Sequence, residues 1–148
     1  MSLQTQVMDK MKEAMKSKDT IALTALRALK SAFMLANTEA GAGELTEAEE
    51  LKIIQKQVKQ RKDSAAVFTE QGRNDLAEPE LAEAAVLEQF LPKALSEEEI
   101  AKVVAQVIDE TGANGMKDMG KVMGIVSKQL AGQADGKTIS AIVKAKLG

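Results

Sequence analysis

The sequence predicts an all-α protein with an N-terminal bundle of about four helices and a C-terminal unit of three helices. Apolar residues recur at intervals of three and four almost throughout the chain, and no stretch alternates apolar and polar residues as a half-buried strand would. Pro92 interrupts this pattern, because proline cannot continue a helix. We therefore expect one unit over residues 1–92 and a second over residues 93–148.

The first two predicted helices differ in how far their apolar residues extend around them. Leu3 and Val7 are spaced as on one apolar face and predict the first helix. Asp19 suits the N-cap of a second helix that runs to about Glu39, and residues 21–36 of this helix are apolar on nearly every side. Because such a helix belongs in the middle of a bundle, we expect it to be the most buried element and to expose no complete face.

The next two helices are delimited by capping signals. A loop at residues 40–43 precedes Thr46 and Glu49, whose spacing is that of a capping box and predicts the start of a long third helix. This helix is expected to end near residue 71, where Gly72 suits the C′ position. A fourth helix is expected to start at residue 74 or 79 and to end at the second proline of the chain.

The C-terminal unit has its own start and stop signals. Ser96 and Glu99 form a second capping-box pattern, and the apolar spacing that follows predicts a helix as far as Gly112. Two shorter helices are expected over about residues 118–130 and, capped by Asp135, over about residues 136–147.

Composition excludes several classes of function. The chain contains no His and no Cys, which excludes His-based acid–base catalysis, Ser-His-Asp and Cys-His triads, disulfides and ordinary zinc sites. Hydrolysis of glutamine by a Cys nucleophile is therefore impossible in this chain, and no phosphate-binding loop is present. We expect no catalytic residue, no metal and no cofactor.

The sequence also gives no indication of a membrane association. Its first residues lack the basic and apolar regions of a signal peptide, and no apolar run approaches the roughly 20 residues that span a bilayer. The expectation is a cytoplasmic protein. Its oligomeric state is not defined by any pattern in the sequence.

Two charged residues fall on predicted apolar faces. Arg61 lies in the middle of the apolar face of the third helix. Glu88 lies on the face of the fourth helix that also contains Leu81 and Ala84. An Arg–carboxylate pair between the two helices would resolve both burial costs, so a structural Arg61–Glu88 ion pair is the first hypothesis. The alternative is a cationic site that faces a ligand or partner.

A lysine stripe is predicted near the C-terminus. From residue 111 to residue 148 there are six lysines and two acids, a local balance of +4. Lys117, Lys121 and Lys128 fall within about 40° of one another on a helical wheel, beside Gly120 and Gly124, which leave little side-chain bulk between them. Such a face would let a phosphate backbone approach closely, and the alternative is an ordinary solvated face. The candidate RNA-binding residues are Lys117, Lys121, Lys128, Lys137 and Lys144.

Several motifs resemble those of the GatB/YqeY family, the YqeY-like proteins related to the tail of the B subunit of tRNA-dependent amidotransferases. In the first half of the chain these are residues 26–30 (LRALK), 60–64 (QRKDS), 72–76 (GRNDL) and 90–93 (FLPK). In the second half they are residues 118–124 (DMGKVMG), 132–137 (GQADGK) and 142–144 (IVK). The resemblance covers nearly the whole chain.

This resemblance implies an accessory protein of glutamine-dependent tRNA amidotransferase systems. Such a protein would bind tRNA or the amidotransferase through its basic C-terminal helices, with catalysis located elsewhere. One alternative is an enzyme component of a carbon–nitrogen ligase that uses glutamine as amido-N-donor, although the missing glutaminase nucleophile and nucleotide site argue against it. Another is a helical protein-interaction module with no RNA role.

Overall fold

The computed structural model describes residues 2–39 and 45–148, and these ranges contain seven α-helices and no strand. The all-α prediction is therefore confirmed. The predicted loop at residues 40–43 lies outside the described residues. The helices are α1 (Leu3–Ser17), α2 (Thr20–Glu39), α3 (Glu47–Glu70), α4 (Asn74–Glu88), α5 (Glu97–Thr111), α6 (Met119–Gln129) and α7 (Gly136–Leu147), with a 3₁₀ turn at Met116–Asp118 before α6.

The chain divides into two compact units, Met1–Leu91 and Pro92–Gly148. In the N-terminal unit α1 packs against α2, α2 packs against α3 and α4, and α3 and α4 make the most extensive contact. In the C-terminal unit α5, α6 and α7 each pack against the other two. The buried core of this second unit consists of Ile100, Val104, Val107, Val122, Val126, Leu130, Ile139 and Val143.

The predicted caps form hydrogen bonds that define the helix ends. In the box that starts α3, the Thr46 hydroxyl accepts from the Glu49 amide at 3.2 Å and the Glu49 carboxylate accepts from the Thr46 amide at 2.8 Å. Ser96 and Glu99 make the same pair of bonds at the start of α5. The Asp19 carboxylate accepts from an amide in the first turn of α2. These bonds satisfy amide groups that the first turn of a helix leaves without partners.

The prediction that α2 exposes no complete face is wrong. Ala25, Leu26, Leu29 and Phe33 are buried, but the opposite face is exposed along its whole length. Met34 and Leu35 are 59% and 61% exposed. The physical reason is that neighbouring helices cover only part of the circumference of α2, so apolar residues on every side do not place a helix at the centre of a bundle.

The apolar face of α4 also differs from the predicted one. Its buried residues are Ala77, Ala84 and Leu87, whereas Leu81 is exposed. Leu81 lies about 50° to one side of the line through Ala77 and Ala84, and the buried Leu87 lies to the other side. The buried face is therefore rotated away from the position predicted for it. Glu88 consequently lies at the exposed end of the helix.

Among the described residues, no helix has the length and apolar character needed to cross a membrane.

Candidate nucleic-acid interface

Three of the predicted RNA-binding lysines lie at or near α6. Lys121 and Lys128 are exposed and seven residues apart on α6, so they occupy one stripe of that helix. Lys117 is also exposed but belongs to the 3₁₀ turn that precedes the helix. The opposite side of α6 buries Val122 and Val126 in the core, so the lysine side faces outward.

The other two lysines lie on α7. Lys137 and Lys144 are exposed and again seven residues apart, on the side opposite the buried Ile139 and Val143. Lys144 is in the last turn, where a positive charge also stabilises the helix dipole. Helices α6 and α7 pack against each other. That all five ammonium groups form one surface remains a prediction.

The charges of these five lysines are not neutralised locally. None of them forms an ion pair with another residue in the described ranges, whereas lysines elsewhere in the chain, such as Lys59 and Lys62, do so. Gly120 and Gly124 are exposed beside Lys121, and no described atom lies within 4 Å of a Cβ built on either glycine. Glycine destabilises a helix, and internal packing does not explain why two glycines occur in α6.

Replacing Gly124 by alanine is expected to raise the stability of the C-terminal unit by roughly 0.5–1 kcal/mol, because alanine favours the helix and meets no neighbour. If the small surface admits a phosphate backbone, the same variant should bind RNA more weakly. Thermal unfolding followed by circular dichroism measures the first effect. Gly112→Ala is the opposite control: it should destabilise the unit, because Gly112 has a φ of +66°. A loss of stability in Gly124→Ala would indicate a structural role for this glycine.

A second charged site is largely buried in the N-terminal unit. The Arg61 side chain on α3 is only 12% exposed, and its Nε lies 3.9 Å from Oε1 of Glu83 on α4, which is 15% exposed. Another guanidinium nitrogen donates hydrogen bonds to the backbone carbonyl and side-chain oxygen of Gln57. Within the described part of the chain, Nε itself donates no hydrogen bond.

The predicted Arg61–Glu88 pair is therefore wrong. Glu88 instead forms an exposed ion pair with Lys62, in which Oε1 and Nζ are 2.6 Å apart. The reason is the register of the α3–α4 hairpin: Arg61 is nine residues before the end of α3 (70 − 61), and Glu83 is nine residues after the start of α4 (83 − 74). Counting outward from the turn at Gly72 would have identified Glu83 from the sequence.

Burial raises the pKa of the Glu83 carboxyl; the nearby charge of Arg61 acts in the opposite direction, and Glu80 adds to the increase. Since the raised pKa belongs to the folded state, that state binds protons more readily than the unfolded one at this site. The contribution of Glu83 to stability therefore falls as pH rises from its ordinary pKa through the raised value. Arg61 has no comparable way to lose its charge.

Glu50 is a buried acid that was not predicted from the sequence. This carboxylate on α3 is 6% exposed, and its Oε2 has no hydrogen-bond partner among the described residues. Glu50 and Arg61 are eleven residues apart, which brings them to the same side of a helix. That spacing was the available signal.

Comparison with known proteins identifies relatives over most of the chain. Residues 4–147 match the Yqey-like protein family. A protein of Clavispora lusitaniae named altered inheritance of mitochondria protein 41, mitochondrial, is 37% identical over 123 residues, which cover 81% of this chain and 69% of that protein. The protein of the same name in Kluyveromyces lactis is 33% identical over 138 residues, covering 91% of this chain and 70% of that protein.

A third relative belongs to an amidotransferase. The E subunit of the glutamyl-tRNA(Gln) amidotransferase of Thermococcus gammatolerans is 37% identical over 73 residues, which cover 47% of this chain but only 12% of that protein. The sequence motifs indicate a likeness to the B subunit, whereas this relative is an E subunit. Because the family match extends over almost the whole chain and agrees with the motifs in both halves, the chain belongs to the Yqey-like protein family.

Proposed function

We propose that this protein is an accessory component of glutamine-dependent tRNA amidotransferase systems. It binds tRNA through its C-terminal helices and performs no catalysis of its own. The observation that carries the proposal is a set of five exposed, unneutralised lysines in the C-terminal unit, at positions 117, 121, 128, 137 and 144. The relationship to an amidotransferase subunit supports the choice of tRNA as the ligand.

The chemistry of the lysine surface favours phosphate rather than base recognition. Ammonium groups contact the backbone as point charges, and exposed Gly120 and Gly124 leave room for close approach. Phe33 and Phe90 are buried and unable to stack on bases. The binding is therefore tolerant of sequence, and shape selects the folded RNA.

Sequencing the RNA that copurifies with the full chain at moderate salt tests this proposal. The expected result is strong enrichment of tRNA over fragments of other RNAs, with a high ratio of absorbance at 260 nm to that at 280 nm. The chain has no Trp or Tyr, so the protein adds little at 280 nm. A nuclease-treated sample is the control. Retention of all RNAs in proportion to their abundance, or of none, would contradict the proposal.

A second candidate is docking on the amidotransferase itself. The observation that favours it is the exposed face of α2, where Ile21, Met34 and Leu35 are accessible without internal partners on that side. Sedimentation of the protein mixed with a purified glutamyl-tRNA(Gln) amidotransferase, free of RNA, tests this candidate. Met34→Lys/Leu35→Lys should abolish co-sedimentation and leave tRNA binding unchanged.

The cytoplasmic location expected from the sequence remains a prediction. The names of the two fungal relatives place those proteins in mitochondria.

A further inference from the structure

A groove of about 660 Å³ lies between α5 and α7 of the C-terminal unit. Apolar residues make up half of its lining, and three of these four are alanines: Ala101 of α5, and Ala141, Ile142 and Ala145 of α7. The remaining lining residues are Glu97, Lys137, Thr138 and Lys146. We propose that this groove binds an amphipathic α-helix of a partner protein, with acidic residues toward α7 and a basic residue toward α5. The groove shares Lys137 with the proposed RNA-binding surface, but its other lining residues do not belong to that surface.

The alanines favour a helix as the occupant. Ala141 and Ala145 are one turn apart on α7 and both are exposed, so no element of the unit fills the space in front of them. With only a methyl group at each position, a second helix can pack near the short end of the usual interaxial distances, roughly 8 Å. Helix-in-groove recognition of this kind uses apolar anchors at i, i+3, i+4 and i+7 of the partner.

Charge determines the polar pattern of the partner. Lys137 and Lys146 are nine residues apart on α7, a rise of roughly 13.5 Å. Glu97 begins the facing helix, and none of these three residues pairs with another described residue. Nine residues also correspond to roughly half a turn, so the two lysines flank the line of Ala141 and Ala145 on opposite sides. A partner helix with acids about nine residues apart would match both this rise and this half-turn, with one acid on each edge of its apolar face. A lysine or arginine between the acids would reach Glu97.

Two other occupants fit less well. RNA is disfavoured because α5 begins with Glu97, Glu98 and Glu99, which repel phosphates beside the groove. Its lining also contains no aromatic residue on which a base could stack. A small molecule would find only surface charges, since Glu97, Lys137 and Lys146 are all exposed and no buried polar group lines the groove.

The test is a selection from a displayed library of helical peptides about 16 residues long, with the nuclease-treated full chain as bait. Retained peptides should combine apolar anchors at helical spacing with acids about nine residues apart, on opposite edges of the apolar face. Affinities of individual synthetic peptides are then measured by fluorescence anisotropy. Failure to enrich this pattern over the unselected library would overturn the proposal.

Matched variants locate the binding site. Ala141→Leu/Ala145→Leu fills the groove with good helix formers and should weaken the selected peptide at least tenfold, while Ala66→Leu, at an exposed alanine of α3, should have no effect. Lys146→Glu should also weaken it about tenfold, and a peptide with the opposing acid changed to lysine should restore affinity. Equal binding to the filled groove would overturn the proposal. So would loss of tRNA binding in the filled variant, which would assign the groove to the RNA surface.

Discussion

Replacing Glu83 by alanine is expected to lower the free energy of unfolding of the N-terminal unit by roughly 3 kcal/mol. The variant leaves the Arg61 guanidinium, only 12% exposed, without its neighbouring carboxylate. Arginine cannot discard its charge by deprotonation, so the desolvation cost falls on the folded state. The value is at the low end for a buried pair because the two groups are 3.9 Å apart and do not form a hydrogen bond.

Glu88→Ala is the matched control on the same helix. It removes the exposed Lys62–Glu88 pair and should cost less than about 1 kcal/mol, although that pair is shorter than the buried one. Urea unfolding followed by far-ultraviolet circular dichroism compares the two variants. Equal losses in both would contradict the assignment of Arg61 and Glu83 as the buried pair.

A double substitution separates buried charge from lost packing. Arg61→Met/Glu83→Met removes both charges and retains side chains of similar length, so its stability should be close to that of the unchanged protein. If the double variant is as unstable as Glu83→Ala, the pair contributes through packing rather than charge compensation. Recovery in the double variant would support the electrostatic account.

Changing Lys117, Lys121 and Lys128 together to alanine is expected to weaken tRNA binding roughly 50- to 170-fold at 0.15 M salt. This range follows from three lost phosphate contacts, each worth about 0.7–0.9 in the slope of log affinity against log salt, taken between 0.15 M and 1 M. Because these side chains are exposed and unpaired in the described structure, the thermal stability should change little.

A control with the same change in net charge is available in the N-terminal unit. Lys12, Lys52 and Lys56 are also exposed, and none has an ion pair with a described residue. Their triple alanine variant should bind tRNA nearly as well as the unchanged protein. Filter binding at a fixed salt concentration compares the two triples. Equal weakening would mean that total charge, rather than the C-terminal surface, governs binding.

The helices and their ends were predictable because their signals are local. A capping box such as Thr46 with Glu49 is complete within four residues, and both predicted boxes form. The family was likewise predictable from short motifs, and the match over residues 4–147 confirms it.

The errors concern features that depend on contacts between helices. The exposed face of α2 follows from how many neighbours surround it, which its own periodicity does not encode. The partner of Arg61 is set by the register of the α3–α4 hairpin. The buried face of α4 was predicted wrongly because the prediction included Leu81, which is exposed. The groove is lined by both Glu97 and Lys146, which are far apart in the sequence of the C-terminal unit. No local sequence pattern therefore indicated it.

The salt dependence of tRNA affinity is the sharpest test of the proposed RNA-binding surface. If five lysines of the C-terminal unit contact phosphates, the slope of log affinity against log salt should be roughly −3.5 to −4.5 for the unchanged protein. The magnitude of this slope should decrease by roughly 2 to 2.7 in the Lys117/Lys121/Lys128 triple variant. No measurable tRNA binding at low salt, or an identical slope in both proteins, would contradict the assignment of this surface to RNA.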